Sequence, residues 1–354
     1  MTKKFKEFAL EYMSTEYKQD RSLSFDDFTP DRGDLDRAKK SLFVFDQIPF
    51  WHCVVQFFVF VRNHRYDLAE QIDLLHIDEI TPEKIKGYNR VILIYQDPIL
   101  PFFPEVYEKA KKIESYCDSF EIPMIFRPDS LNNTTKSVTG ILWKKAGLPC
   151  ARQFSISSVK DIDALKDLQY PVFLRYDAGH DSHGKIDTTL FYSREEIDTS
   201  LIEKYATPQK NLAGVVLTEF IDTQLSDGTY RKYRAYVAGK TVYNTSMGGA
   251  KDWYVHAQII QSMEFFNEAY DFIQTEPTEA HKEIMIKANE VLGLDFSAID
   301  YSFDKNGKLI LWEANPNPGW SKWYHFNSQL KFRMIRLMAS AFLPDPIPLI
   351  KNWK

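Results

Sequence analysis

The stretch Leu294 to Gly319, LDFSAIDYSFDKNGKLILWEANPNPG, holds two apolar runs joined through Asn306-Gly307, and its arms carry three oxygen side chains, Asp300, Glu313 and Asn315. Asn-Gly between alternating apolar runs predicts a β-hairpin, because both residues tolerate the positive φ of a type I′ turn. If those two residues are the whole loop, Lys305 faces Lys308, Ser302 faces Leu311 and Asp300 faces Glu313. Side chains directly opposed on an antiparallel pair have Cβ atoms about 5 Å apart, where like charges repel. A positive charge is therefore expected between the two carboxylates. Asn315, two residues beyond Glu313, shares its face. Two carboxylates and an amide oxygen, with no His or Cys nearby, suit a hard cation such as magnesium or manganese rather than zinc. A three-residue loop bulged at Gly307 is the competing geometry; it shifts the register by one and sends Asp300 and Glu313 to opposite faces. The bland alternative is an exposed acidic hairpin. On the two-carboxylate reading, Glu313→Gln removes one member of a like-charge pair and is expected to stabilise the metal-free protein mildly.

The composition is that of an ordinary globular chain: 354 residues, 44% hydrophobic and 26% charged, enough for two or three domains. A net charge of −5 gives no nucleic-acid footprint. The most apolar run, Val54 to Val61, is far short of the roughly 20 residues of a membrane span. Cys53, Cys117 and Cys150 are widely spaced and form no metal or redox motif, which favours a reducing compartment. With an N-terminus charged throughout, MTKKFKEFALEYM, these features predict a cytoplasmic protein.

The first third reads as α/β. Strands are predicted at Ser41 to Phe45, Arg90 to Tyr95 and Ile122 to Phe126, with helices from Phe50 to Arg62 and from Pro104, the latter burying Val106, Ala110, Ile113 and Cys117. Strand, helix, strand implies a parallel βαβ unit. A helix from Thr134 to Ala146 places Val138, Ile141, Leu142 and Lys145 or Ala146 on one face at helical spacing and ends at Gly147 and Pro149. Lys136, in its first turn, lies where outward N–H groups favour an anion, although on its own chemistry it reads as a solvated surface lysine.

A small unit follows: a short helix capped by Ser158 and Asp161, strand PVFLR (171–175), loop DAGHDSHGK (177–185), strand Asp187 to Tyr192, a helix capped by Ser193 with Glu196, and strand Gly214 to Glu219. Gly179 and Gly184 permit close approach of the backbone to a phosphate, with His180, His183 and Lys185 as donors. The densest basic cluster, YRKYRAYVAGK from Tyr230, puts Lys232 and Arg234 on one strand face and Arg231 and Tyr233 on the other. A helix from His281 to Leu292, closed by Gly293, leads back to the hairpin.

Asp, Glu thirteen residues on, Asn two after that, then Pro and a Gly turn, together with AGLP at Ala146 to Pro149 and the helix, strand, glycine loop, strand, helix, strand order, resemble the ATP-grasp superfamily over roughly residues 130 to 319. The resemblance implies an α/β (α+β) fold in three parts: a Rossmann-like N-terminal domain (1–133), a central and lid domain (134–222) whose mobile lid spans about residues 150 to 222, and a C-terminal catalytic antiparallel sheet (223–354). It implies ATP held by Lys136, Arg175, Gly179, His180, Gly184 and Lys185, with Thr218, Glu219, Phe220 and Ile221 as the adenine hinge. It further implies two magnesium (or manganese) ions on Asp300, Glu313 and Asn315, and Arg234, with Lys232 and Arg231 beside it, in the catalytic role. Arg175 stands where the family usually carries lysine; arginine keeps the charge and adds a second donor. Ala298 stands where D-alanine–D-alanine ligases carry arginine, so a dipeptide ligase of that kind is not expected. The aromatic tract KDWYVH (251–256) falls where acceptor-binding elements are expected. The implied activity is an ATP-dependent carboxylate–amine ligase working through an acyl phosphate. Its partners are a small-molecule or peptide carboxylate and an amine, without nucleic acid or membrane, and a homodimer is the assembly considered. An ATP-grasp phosphotransferase and a non-catalytic nucleotide-binding protein are the alternatives.

Overall fold

The computed structural model describes residues 36–46, 53–94, 103–178, 189–197, 199–206, 213–255, 262–319 and 328–344. Three sheets organise them. The first contains β1 (Ser41–Phe45), β2 (Ile72–His76), β3 (Arg90–Ile94) and β4 (Met124–Ile125), ordered β2-β1-β3-β4 and parallel throughout. Parallel strands are covered on both faces, which is why Leu42 to Val44 and Val91 to Ile94 are continuously apolar and fully buried. Helices α1 (Cys53–His64) and α2 (Pro104–Ser119) accompany them, and α2 buries the four residues its periodicity predicts. The first residues of the helix predicted from Phe50 lie outside the described residues.

The second sheet is small. After α3 (Lys136–Lys145), β5 (Gln153–Ile156), β6 (Val172–Ala178) and β7 (Ala213–Glu219) form an antiparallel sheet ordered β5-β7-β6, with helices α4 (Val159–Asp163) and α5 (Thr199–Ala206). The predicted capping box of Ser158 and Asp161 opens α4. Ile156, Leu174, Tyr176, Val215 and Leu217 close a separate core beneath this sheet. Of the strand predicted from Asp187, the described residues hold a bridge of Phe191 to Val172. Glu196 does not cap a helix at Ser193; its carboxylate accepts the Tyr192 N–H at 2.7 Å, the chain turns there, and the described helix begins at Thr199. The apolar face expected of α3 holds only in part: Leu142 packs against the core, but the buried side lies elsewhere. Ile141 is 48% exposed, whereas Ser137, Thr139, Gly140 and Trp143 are buried. Gly140 decides this, because a Cβ there would lie 3.1 Å from the Gln153 Cβ, so only the bare face of the helix reaches β5. Trp143 then donates its indole N–H to the Ala288 carbonyl at 3.0 Å.

The third sheet runs β11-β10-β8-β9, antiparallel, from β8 (Tyr230–Ala238), β9 (Thr241–Ala250), β10 (Phe296–Phe303) and β11 (Leu309–Asn315). Helices α6 (Met263–Gln274), α7 (Glu279–Leu292) and α8 (Ser328–Phe342) belong to the same part of the chain. Gly293, at φ 72°, closes α7 as predicted. Phe342 joins the two large sheets, its ring meeting Phe43 at 5.9 Å and Phe296 at 5.4 Å. Gly249 on β9 has no room for a side chain, since a Cβ would overlap the buried Phe265 ring of α6. Gly249→Ala is expected to cost about 1–3 kcal/mol, the usual penalty of overpacking. Urea denaturation checks it, and an unchanged midpoint contradicts the packing.

Candidate active site

The hairpin reaches its predicted pairing by an unpredicted route. Phe303 pairs with Leu309, and the Asp304 N–H donates to the Lys308 carbonyl at 2.9 Å. The loop therefore holds three residues, Lys305 to Gly307, with Gly307 at φ 76°. The two-residue loop is thus corrected, and the Asp304 carboxylate supplies the reason: it accepts from the N–H groups of Asn306 (2.8 Å) and Lys308 (2.9 Å), an arrangement that suits the wider loop. Alone, that loop would put Asp300 and Glu313 on opposite faces. A β-bulge at Trp312 reverses the shift, because Tyr301 pairs with Leu311 but Asp300 pairs with Glu313. Trp312 is a site neighbour that the sequence reading missed. Its indole N–H donates to Ser302 Oγ at 2.8 Å, two residues from Asp300 on the same strand.

Arg234, Asp300 and Glu313 lie in one line across β8, β10 and β11. Asp300 is 1% exposed, and a buried carboxylate needs a partner to stay charged. Arg234 donates to both of its oxygens, Nη2 at 2.9 Å from Oδ2 and Nε to Oδ1, while Lys232 Nζ is 3.3 Å from Oδ2. Glu313 is met from the second sheet, where Arg175 Nη2 donates to Oε2 at 2.9 Å. Asn315 Nδ2 is 3.4 Å from Glu313 Oε1. Each carboxylate therefore has cationic side chains of its own, Arg234 and Lys232 at Asp300 and Arg175 at Glu313, rather than one charge between the two. Desolvation pushes the Arg234 guanidinium down, but the charge and hydrogen bonds of Asp300 more than reverse it and hold it above its ordinary value. Asp300 and Glu313 are thus opposed on neighbouring strands, and Asn315 meets Glu313. Among the described residues no group of three or more His, Cys, Asp and Glu side chains offers a metal site.

The other predicted residues divide. Arg231 is not brought to this cluster: it points to the opposite face, donating to Glu268 at 2.9 Å with its guanidinium 5.1 Å from the Phe265 ring centre. Lys136 is 7% exposed, so it is not a solvated surface lysine. The start of α3 is already capped, because Ser137 donates its N–H (2.8 Å) and Oγ–H (2.6 Å) to the Asp177 carboxylate. Thr218 is fully buried. Glu219 is held by Arg152, Nε to Oε2 at 2.8 Å and Nη2 to Oε1, and by the Gln169 N–H at 2.8 Å. The Phe220 N–H donates to the Pro171 carbonyl at 2.9 Å, and Ile221, next in the chain, is partly exposed. The Phe220 ring lies 5.7 Å from Trp253, which is itself 4.8 Å from Phe173. Trp253 thus links the segment after β9 to the small sheet. Gly179, His180, Gly184 and Lys185 lie outside the described residues.

Neither a family model nor a curated protein matches the sequence. Solved structures do match. The ATP-grasp ligase PsnB, complexed with minimal precursor, magnesium and ADP, superposes with a TM-score of 0.53 at 14% identity, covering 87% of this chain and 99% of that one. The chain has the ATP-grasp fold. The D-alanine–D-alanine ligase of Bacillus anthracis, complexed with ATP, gives a TM-score of 0.51 at 12% identity over 88% of this chain and 98% of that one. The VanG D-Ala:D-Ser ligase of Enterococcus faecalis gives 0.52 at 11% identity over 86% and 98%. In this ATP-grasp fold the parallel sheet, the small antiparallel sheet and the large antiparallel sheet follow one another along the chain. No helix among the described residues is long and apolar enough to cross a membrane.

Because Arg175 already neutralises Glu313, the premise that Glu313→Gln relieves an unbalanced repulsion does not hold. Asp300→Asn is expected to cost about 3–5 kcal/mol, since it leaves Arg234 and Lys232 facing a neutral buried group. Glu313→Gln, at the more open pair, is expected to cost under about 1 kcal/mol. Guanidinium denaturation of the two variants in EDTA checks the order, and a stabilised Glu313→Gln protein contradicts it.

Proposed function

We propose that the chain is an ATP-dependent carboxylate–amine ligase that forms an amide or peptide bond through an acyl phosphate and releases ADP and phosphate. The observation that carries this reading is the line Arg234, Asp300 and Glu313 with Arg175 set over it from the small sheet. It combines oxygen ligands for a hard cation with donors for phosphate oxygens in one cluster. The solved structures that share the fold support it: PsnB is described as a ligase bound to a precursor, magnesium and ADP, and the Bacillus anthracis enzyme as a D-alanine–D-alanine ligase bound to ATP.

On this reading the three units are residues 1–133, 134–222 and 223–354. Arg175 and Lys136 grip the triphosphate, with Gly179, His180, Gly184 and Lys185 as the loop over it and Thr218 to Ile221 as the hinge beside the base. Asp300, Glu313 and Asn315 would hold magnesium, which supplies charge neutralisation at the phosphates. A carboxylate oxygen of the acid attacks the γ-phosphorus and ADP leaves. The amine then attacks the acyl carbon, phosphate leaves, and the amine proton passes to solvent. Phosphoryl transfer of this kind depends on positioning and charge stabilisation rather than a protein nucleophile, so no Ser-His-Asp or Cys-His arrangement is needed. Arg234, with Lys232 beside it, stabilises the developing oxyanion. Arg231 is left a packing role against Glu268 and Phe265. The acid is a small molecule or a peptide, and a cytoplasmic setting supplies the nucleotide.

ADP and phosphate release, measured against a panel of amino acids, short peptides and small carboxylates, is expected to require both an acid and an amine. Arg234→Ala should lower kcat by about 10²–10³-fold, the scale of a lost oxyanion donor. Glu313→Gln should abolish turnover. Wild-type turnover in Glu313→Gln would remove the metal assignment and the ligase reading with it, and phosphate retained on a substrate hydroxyl would identify a phosphotransferase.

A further inference from the structure

Among the described residues the cluster around Asp300 carries more positive than negative charge. Arg175, Lys232 and Arg234 are three cations against the two carboxylates of Asp300 and Glu313, leaving one net positive charge among the described residues. Every carboxylate oxygen of the pair already has a donor within reach. Asp300 Oδ1 accepts from Arg234 Nε, and Oδ2 from Arg234 Nη2 at 2.9 Å with Lys232 at 3.3 Å. Glu313 Oε2 accepts from Arg175 at 2.9 Å, and Asn315 Nδ2 is 3.4 Å from Oε1. A dication entering alone would have to displace these donors and raise the local charge further. A polyphosphate has the opposite effect, since it brings several negative charges and offers the displaced Arg175 and Lys232 new oxygens to hold.

Resting on the nucleotide reading above, we infer that the polyphosphate binds first and the divalent cation follows, and that the Arg175–Glu313 ion pair enforces this order. Arg175 is suited to the part because the strand beneath it is fixed on both sides. Residues 173, 175 and 177 share one face of β6. Phe173 packs on Trp253 at 4.8 Å, and Asp177 accepts from Ser137 at 2.8 and 2.6 Å. Between these two clasps the guanidinium is held over Glu313, and it leaves that carboxylate only when another anion receives it. Arg234 is different. It is the cross-strand partner of Asp300, so it remains beside that carboxylate while Arg175 and Lys232 exchange onto the polyphosphate.

Isothermal titration calorimetry on the full chain separates the steps, using magnesium chloride alone, ATP in EDTA, and ATP with magnesium. Wild type is expected to bind ATP in EDTA and to show no heat with magnesium chloride alone. Arg175→Gln should gain at least about tenfold in affinity for magnesium alone and lose at least about tenfold for ATP in EDTA, each a shift of about 1.4 kcal/mol. Arg175→Lys, which keeps the charge, should keep the order. Lys232→Gln reports the same exchange if Arg175→Gln does not fold, as judged by circular dichroism. The inference is overturned if wild type binds magnesium alone as tightly as it does with ATP, or if both neutral variants leave magnesium-alone binding unchanged. Binding in the expected order with no ADP release on any substrate panel would remove the ligase reading and leave this inference standing. No ATP binding in any condition would remove both.

Discussion

A carboxylate in the middle of a β-sheet, shut off from water, is costly to bury unless cations are built in beside it, and Asp300 is such a carboxylate. Its partners come from the adjacent strand: Arg234 directly opposite and Lys232 two residues before it. This requirement explains why so basic a stretch as residues 230–234 forms a central strand rather than an exposed one. It also ties the sheet to its neighbour. Once Asp300 and Glu313 are opposed, the second carboxylate needs its own cation, and Arg175 reaches it from a different sheet.

Two irregularities frame this line of charge. On β11 the bulge falls at Trp312, between the pairs of Tyr301 and Asp300. On β9 it falls at Thr245, between the partners of Arg234 and Ala235, and the Thr245 hydroxyl donates to the Arg234 carbonyl at 3.2 Å. A bulge locally increases twist and re-aims the side chains beside it. Here one lies on each side of the Arg234 and Asp300 pair, on β9 and β11, while the pairing of β8 with β10 between them stays regular.

Strand β6 uses its two faces for two purposes. Val172, Leu174 and Tyr176 pack into the core of the small sheet, while Phe173, Arg175 and Asp177 reach Trp253, Glu313 and Ser137. The Asp177 carboxylate sits on the first turn of α3, where a helix dipole favours an anion. Gly214, at φ 66°, faces Asp177 across the pairing of β6 and β7, and a Cβ on it would lie 3.2 Å from the Asp177 Cβ. The first turn of α3 is therefore filled by a carboxylate from within the chain.

What the sequence determined by itself is what short-range periodicity controls. Alternation along β8 separated Lys232 and Arg234 from Arg231, Pro104 and Gly293 marked the ends of their helices, Ser158 and Asp161 marked a cap, and Asn306-Gly307 marked a hairpin. What only the tertiary structure decided is which groups meet. The hairpin reached its pairing through a wider loop and a compensating bulge, two shifts of one residue that leave no separate mark in the spacing. The buried face of α3 followed the close approach that Gly140 allows against Gln153 rather than the apolar count of the helix. Arg175 meets Glu313 across 138 residues of sequence, and Asp177 meets Ser137 across 40. Such partners are chosen by where whole sheets come to rest, because charge complementarity acts between any two groups that packing brings within reach, whatever their separation along the chain.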